Sequence, residues 1–132
     1  KAWPGKVTAV CKKRTELPAA ATGGRDSVGM RIPNFSFLNT FMSKTSFPLI
    51  GTSANISGED VFPDGNSAFL FFKGEQFQPD LIVDSGTLAH SKPSTVVDLV
   101  SLGVLREGAV SSKDIVSWWG ECIVEKGVLS EG

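Results

Sequence analysis

The sequence is poor in the residues that most directly reveal a chemistry. It contains one histidine and two cysteines among 132 residues. The cysteines, Cys11 and Cys122, stand too far apart to match a metal-ligand spacing. A single histidine, His90, argues against a Ser-His nucleophile pair, so we assign no catalytic residue and no metal ligand. Two cysteines make no disulfide framework, although one bridge between them stays an alternative, and a reducing compartment is favoured.

Long apolar runs and a charge excess are also missing. No stretch is apolar enough to cross a membrane, and no secretory signal pattern is present. Thirteen basic against 14 acidic side chains give a net charge of −1, which does not point to nucleic acid as a partner. Together with a hydrophobic content of 41%, these absences favour a cytoplasmic globular chain with a single domain over residues 1–132.

Strand-like and helix-like patterns alternate along the chain. Apolar alternation and β-branched runs predict strands over 6–12, 27–32, 47–50, 81–83, 96–100 and 103–108. Helices are predicted over 35–44 and 113–125, the first capped by Asn34 and the last by Ser111 or Ser112. A short helix is also predicted over 67–72, where the apolar run 69–72 fits a strand equally well. One apolar face of the first helix is interpreted as core filling: Phe37, Leu38, Phe41 and Met42. The predicted fold class is therefore α/β (α+β), with antiparallel neighbours near residues 96–106.

A polar turn, Gly51–Gly58, follows the predicted strand 47–50. It offers backbone N–H groups and hydroxyls at the end of a strand, where α/β proteins bind small molecules. Its short polar side chains are Thr52, Ser53, Asn55 and Ser57. An ordinary strand-to-helix loop is the alternative, because serine, asparagine and glycine are favoured in turns for conformational reasons alone.

Arg31 is the unusual residue of the predicted strand 27–32, since it is a cation between Met30 and Ile32. If that strand is buried, the guanidinium must meet an anion, because an unpaired buried charge is very costly. A structural salt bridge or an exposed edge position is the alternative.

Six blocks of the sequence resemble, in order, the Sua5/YciO/YrdC family, and they extend over nearly the whole chain. The blocks are 3–8 (WPGKVT), 27–33 (SVGMRIP), 52–58 (TSANISG), 84–86 (DSG), 93–98 (PSTVVD) and 105–109 (LREGA). One block alone is a weak signal, whereas the ordered set is specific.

The resemblance implies a YrdC-like twisted mixed sheet with flanking helices and the activity of an L-threonylcarbamoyladenylate synthase, a nucleotidyltransferase. Such enzymes form threonylcarbamoyl-AMP and pyrophosphate from L-threonine, bicarbonate and ATP, and Mg²⁺ is expected to bridge the phosphate oxygens. The product is passed to the machinery that makes the t6A modification of tRNA. The family's basic concave surface adds an expected contact with tRNA or double-stranded RNA.

Site residues follow from the resemblance where the blocks match. Arg31 matches the arginine that holds the threonine carboxylate, for which a planar two-donor fork is suited. The other implied threonine contacts are the hydroxyls of Ser53 and Ser94. The implied ATP contacts are Ser27, Asn55 and Arg106. Thr8 is either a site residue or an ordinary strand position.

The chain departs from the family pattern in three ways. Lys6 stands where the first block usually has its second proline, and Ser85 where the aspartate-glycine-glycine block has its second glycine. Upstream of the first block, family members carry a threonine-rich segment and a lysine-arginine motif that grip ATP and substrate. We therefore expect this chain to be the later part of the family domain, which puts the activity of this piece alone in question.

Two alternative functions stay open. One is the carbamoyladenylate-forming domain of a hydrogenase-maturation type carbamoyltransferase, against which the final amphipathic helix and the lack of zinc-finger cysteines argue. The other is a non-catalytic RNA-binding module, against which the net charge of −1 argues, because phosphate binding needs a cationic surplus on one face.

Overall fold

The structure, a computed structural model, describes residues 1–56 and 58–125, with the side chains of residues 122–125 excepted. Ser57 and the side chain of Cys122 therefore lie outside the described part. The elements in chain order are β1 (Val7–Lys12), β2 (Ser27–Met30), α1 (Ser36–Met42), α2 (Gly65–Phe72), β3 (Thr95–Asp98), β4 (Gly103–Arg106) and α3 (Ser112–Glu125), with one 3₁₀ turn at Ala19–Thr22.

The chain divides into two compact units. The first consists of Lys1–Pro48 and the described residues from Lys92 onward, and it contains all four strands with α1 and α3. The second is Leu49–Ser91, and α2 is its one described regular element. Within the described residues, no helix has the length and apolar character that a membrane crossing requires.

The first unit is built on a four-stranded mixed sheet of order β2-β1-β3-β4. The strand β1 pairs antiparallel with β2 and parallel with β3, while β3 and β4 form an antiparallel hairpin. This confirms the predicted mixed sheet and the antiparallel neighbours near residues 96–106. The hairpin turn is held by Asp98, whose carboxylate accepts from Val100 N and from Ser101 Oγ, both at 2.8 Å.

One side of the sheet, the core face, carries the buried side chains Val7, Ala9, Thr95 and Val97. Val7, Ala9 and Val97 pack with Ile115 of α3, and Trp118 and Trp119 cover the cluster at its margin. This packing explains why α3 forms where its apolar spacing predicts it. The helix begins as predicted, since Ser111 Oγ accepts from Asp114 N at 3.2 Å.

The opposite side, the open face, carries Thr8 and Val10 of β1, Ser27 and Gly29 of β2, and Val96 of β3, by the alternation of side chains along paired strands. Each of these residues is half-buried or exposed, so solvent reaches this face. The two faces thus differ in burial: the core face packs against α3 and the open face is accessible to solvent.

A β-bulge in the hairpin changes the direction of one side chain. Val97 pairs with Val104, but the next pair joins Val96 to Arg106, so Leu105 is skipped. Val104 therefore packs on the core face while Arg106 is turned to the open face, beside Val96. Without the bulge, alternation would place Arg106 on the same side as Val104.

Thr95 joins β3 to the loop that follows β4. Its side chain is fully buried, and its hydroxyl accepts from the backbone N–H groups of Gly108 and Val110, both at 3.0 Å, and donates to Val110 O. Its own N–H donates to Lys6 O at 3.0 Å. The loop after Arg106 is thereby held against the start of β3.

Several sequence predictions for the fold are wrong. Residues 47–50 and 81–83 form no strand, because an apolar run becomes a strand only with a partner, and the described residues provide none. Ile50 and Leu81 are instead 80% and 78% exposed.

The first helix also differs from its prediction. It begins at Ser36 after Phe35, without a side-chain cap from Asn34. None of its residues is buried, so the core-filling interpretation is wrong. Phe37 and Phe41 are exposed and contact each other, with their ring centroids 6.5 Å apart.

We expect Thr95→Val to lower the free energy of unfolding by at least about 1–3 kcal/mol, the cost of one buried polar group left without a partner. The substitution keeps the shape of the side chain but removes the partner of two N–H groups and one carbonyl. Thr95→Ser is the matched control, since it keeps the hydroxyl and loses one methyl, worth about 1 kcal/mol. Urea unfolding monitored by tryptophan fluorescence measures both; a smaller loss for the valine variant would contradict the role of the hydroxyl.

Two glycines give a second test with opposite signs. A Cβ on Gly108 would lie 2.7 Å from Ser94 C and O, whereas a Cβ on Gly120 of α3 would meet nothing within 4 Å. We expect Gly108→Ala to destabilise by about 1–3 kcal/mol through backbone displacement, and Gly120→Ala to stabilise by about 0.5–1 kcal/mol through helix propensity. Equal effects in the same unfolding measurement would show that the contact with Ser94 is not rigid.

Candidate functional site

Four of the six predicted site residues lie on the open face, Arg31, Ser94 and Arg106 toward one end of it and Ser27 at the other end of β2. Ser27 lies at the start of β2, paired with Lys12 of β1. Arg31 follows the last residue of β2, and the alternation continued by one residue places it on the side of Gly29. Ser94 precedes β3, and Arg106 is turned to this side by the bulge.

Arg31 is exposed and is not a buried strand residue, so the exposed alternative of the sequence analysis is correct. Its Nε donates to Gly5 O at 2.8 Å, and Gly5 N in turn donates to Ile32 O at 2.8 Å. The Trp3–Gly5 turn therefore anchors the base of the guanidinium. Among the described residues, the two Nη groups have no hydrogen-bond acceptor, which leaves the end of the fork for an anion.

Arg106 and Ser94 are joined directly. Arg106 Nη2 donates to Ser94 O at 3.0 Å, so the guanidinium is held beside the residue that precedes β3. The Ser94 hydroxyl points to β1, where its Oγ lies 2.8 Å from Thr8 Oγ1. Thr8 is thus part of the open face and in contact with a predicted site residue, which the sequence left undecided.

Small side chains form the floor of the open face between the two arginines. Gly29 contributes no side chain, and a Cβ there would lie 3.3 Å from Thr8 Cγ2. Lys12 adds a third cation on β1, against one acid, Asp98 of β3. Hydrogen bonds from Val100 N and then Ser101 Oγ hold the pKa of Asp98 below its usual value. The overall charge of −1 therefore hides a local cationic surplus suited to an anionic ligand.

Glu107 follows Arg106 in the sequence, but its side chain binds the start of α3. Its carboxylate accepts from the hydroxyl and the backbone N–H of Ser112, the first residue of the helix. These bonds, the hydroxyl first, keep the pKa of Glu107 below its ordinary value. The positive end of the α3 dipole is thereby occupied by the chain's own acid.

The other two predicted site residues, Ser53 and Asn55, belong to the second unit. Ser53 is exposed. Asn55 Nδ2 donates to Ile56 O at 3.0 Å and to Glu59 O at 2.7 Å, so both amide hydrogens close the turn and the side-chain oxygen is left to accept. No strand precedes this turn, although the turn itself is compact around Asn55.

Asp84 organises the rest of the second unit. Its Oδ1 accepts from Gly65 N at 3.2 Å and from Gly86 N at 2.9 Å, which ties the 84–86 block to the start of α2. Asp64 caps the same helix by accepting from Ser67 N at 2.7 Å, and that backbone bond is the main cause of its lowered pKa. The Asp84–Gly65 contact depends on how the loops fold and could not be found from the sequence. The Asp64 cap was missed although it has a local signal, an aspartate three residues before Ser67 and ahead of an apolar run.

An apolar cavity lies away from these residues. It measures about 370 Å³ on the core face, next to α3, and is lined by Val7, Ala9, Val97, Ile115, Trp118 and Trp119 among others. No predicted site residue lines it. Nor do the described residues bring together three or more His, Cys, Asp or Glu side chains that could hold a metal ion.

Comparisons with known proteins show what this chain is similar to. The Sua5/YciO/YrdC family model, described as telomere recombination, matches residues 1–108. A threonylcarbamoyl-AMP synthase of Pyrococcus abyssi is 30% identical over 131 residues, which is 98% of this chain and 38% of that protein. One of Yersinia pestis (strain Pestoides F) is 32% identical over 107 residues, or 80% of this chain and 54% of that protein. The chain thus spans between about a third and about half the length of these relatives.

A solved structure gives the same answer at the level of the fold. The crystal structure of P. abyssi Sua5 complexed with L-threonine superposes with a TM-score of 0.76 at 30% identity, covering 90% of this chain and 35% of that one. The match extends over the mixed sheet and confirms the predicted fold class. With the family model matched over most of its length, this chain belongs to the Sua5/YciO/YrdC family.

Proposed function

We propose that this chain carries the L-threonine-binding face of an L-threonylcarbamoyladenylate synthase, a nucleotidyltransferase that makes threonylcarbamoyl-AMP for the t6A modification of tRNA. The observation that carries the proposal is the open face, where small side chains lie between Arg31 and Arg106. The two Nη groups of Arg31 have no acceptor in the described residues, and Arg106 is held at Ser94 O through Nη2. The names of the relatives and the L-threonine in the related crystal structure support the choice of ligand.

Arg31 is assigned to the threonine carboxylate. With Nε held by Gly5 O, the two Nη groups remain to donate two parallel hydrogen bonds to a carboxylate. Ser94 then offers its hydroxyl to the polar part of the same amino acid, and Ser53 of the second unit is assigned a second hydroxyl contact. ATP is assigned to Arg106, Ser27 and Asn55, with Arg106 beside the phosphates.

The reaction consists of two bond-forming steps. The amine of L-threonine adds to bicarbonate, giving a carbamate and water. A carbamate oxygen then attacks the α-phosphorus of ATP, and pyrophosphate leaves as threonylcarbamoyl-AMP forms. Both steps join anionic reactants, so positioning and charge neutralisation by the arginines are the main contributions of this face.

Mg²⁺ enters this proposal with ATP and not as a resident metal. The described residues offer no cluster of three acidic, histidine or cysteine side chains, and Asp98, the acid of the open face, is already bonded to Val100 N and Ser101 Oγ. Mg²⁺ often keeps its waters and binds mainly through substrate phosphates. We therefore assign it no ligand in this chain.

The threonine site is tested by titrating the ¹⁵N-labelled chain with L-threonine and following amide chemical shifts. We expect saturable shifts at Thr8, Arg31 and Ser94 and weaker binding of L-serine. Arg31→Ala should weaken L-threonine binding by about tenfold or more, since a hydrogen-bonded charge pair contributes about 1.5–3 kcal/mol. The L-threonine affinity of Arg31→Lys should lie between those of the unsubstituted chain and Arg31→Ala, because lysine keeps the charge and loses the planar two-donor fork.

Arg25→Ala is the matched control, since Arg25 is also exposed and stands before the opposite end of β2. It removes the same charge and should leave threonine affinity unchanged. No threonine-dependent shift in the unsubstituted chain, or an equal loss in both alanine variants, would contradict the proposed site.

We expect substitutions of Arg106 and Arg31 to distinguish ATP binding from threonine binding. Arg106→Ala should weaken ATP binding about three- to tenfold at low ionic strength and reduce its dependence on salt, because an exposed arginine contributes a screened attraction to phosphate. Arg31→Ala should leave ATP binding intact. Calorimetric titration with ATP and Mg²⁺ at two salt concentrations measures both effects, and unchanged ATP affinity in Arg106→Ala would remove Arg106 from the nucleotide site.

A further inference from the structure

The hydroxyls of Thr8 and Ser94 form a contact that the proposed reaction does not yet explain. The two residues are 86 positions apart, both are half-buried, and their oxygens are 2.8 Å apart on the open face. Thr8 lies on β1, a central strand of the sheet, while Ser94 precedes β3 and receives Arg106 Nη2 at its carbonyl. One hydroxyl pair therefore links the centre of the sheet to the residue that holds Arg106.

The surroundings of Thr8 fix which way its hydroxyl points. On one side its Cγ2 faces Gly29 of β2, so closely that a Cβ on Gly29 would lie 3.3 Å from it. On the other side its Oγ1 meets Ser94. A β-branched side chain has few χ1 states in a strand, and a side chain at position 29 would press on the Thr8 methyl. Gly29 and Thr8 together thus direct the hydroxyl to Ser94.

We propose that Thr8 is a positioning residue of the threonine site: its hydroxyl donates to Ser94 Oγ and leaves the Ser94 proton directed to the bound amino acid. Each hydroxyl has one hydrogen to donate, so when Thr8 supplies the bond between the two, Ser94 keeps its own hydrogen for the ligand. Thr8 itself does not touch the substrate. The inference rests on the proposed function, since it assigns Thr8 a role within that site.

The test is a double-mutant cycle read out by L-threonine affinity in the same chemical-shift titration. Thr8→Val keeps the branched shape and removes the hydroxyl, and we expect it to weaken threonine binding about three- to tenfold, the range of one hydrogen bond. Thr8→Ser keeps the hydroxyl and should recover most of the affinity. ATP affinity should stay unchanged in both.

The decisive variant combines Thr8→Val with Ser94→Ala. If Thr8 acts only through the Ser94 hydroxyl, the double variant binds L-threonine no more weakly than Ser94→Ala alone. Additive losses, or a Thr8→Val variant with full affinity, would overturn the role of Thr8 while leaving the threonine site in place. A general loss of folding is recognised separately, because it would lower the unfolding midpoint and the ATP affinity together.

Gly29→Ala gives an independent check on the same geometry. The added methyl meets Thr8 Cγ2 and should turn the Thr8 side chain, so we expect weaker threonine binding in the direction of Thr8→Val. In the Thr8→Ser background, which lacks that methyl, Gly29→Ala should have less effect. An equal effect in both backgrounds would contradict the direct contact. If the unsubstituted chain fails to bind L-threonine at all, the proposed function fails and this inference falls with it.

Discussion

The parallel pairing of β1 with β3 is the contact on which both sides of the sheet depend. It joins residues near the start of the chain to residues almost 90 positions later, and it sets Val7 beside Thr95 and Thr8 beside Val96. Because side chains alternate, this one register fixes which residues are buried under α3 and which face solvent. A slip by one residue would bury Thr8 and expose Val7, removing the core and the open face at the same time.

Thr95 and the bulge in β4 place the residues of the candidate site on that register. The bulge turns Arg106 to the open face, and the buried Thr95 hydroxyl holds the following loop through Gly108 and Val110. Arg106 Nη2 then reaches Ser94 O, one residue before Thr95. Groups on the buried side therefore set the position of groups on the exposed side. The restriction to glycine at position 108 is part of the same joint, since that backbone passes close to Ser94.

Local sequence patterns predicted the elements whose signals lie within a few residues of one another. The strand β1, the hairpin of β3 and β4, and the helix α3 follow from alternation, a turn and a cap, all within a few residues, and α2 from a short apolar run. The prediction of strands over 47–50 and 81–83 was wrong because a strand also needs a partner strand, which no local pattern reveals. The site was predicted from the resemblance, not from periodicity. The geometry of the site could not be predicted from the sequence, because the bulge at Leu105 and the Thr8–Ser94 contact arise only from the pairing of strands.

The electrostatic potential of the open face depends on which groups the nearby carboxylates bind and not on the number of carboxylates. Asp98 is bonded within the hairpin turn and Glu107 to the first residue of α3, so both nearby carboxylates already have donors. Arg31 Nε donates to Gly5 O and Arg106 Nη2 to Ser94 O, and these backbone carbonyls carry no net charge. An anion arriving at this face therefore meets cations that are oriented but not neutralised. That is the condition under which a nearly neutral chain can bind a carboxylate, because the attraction depends on local pairing and not on net charge.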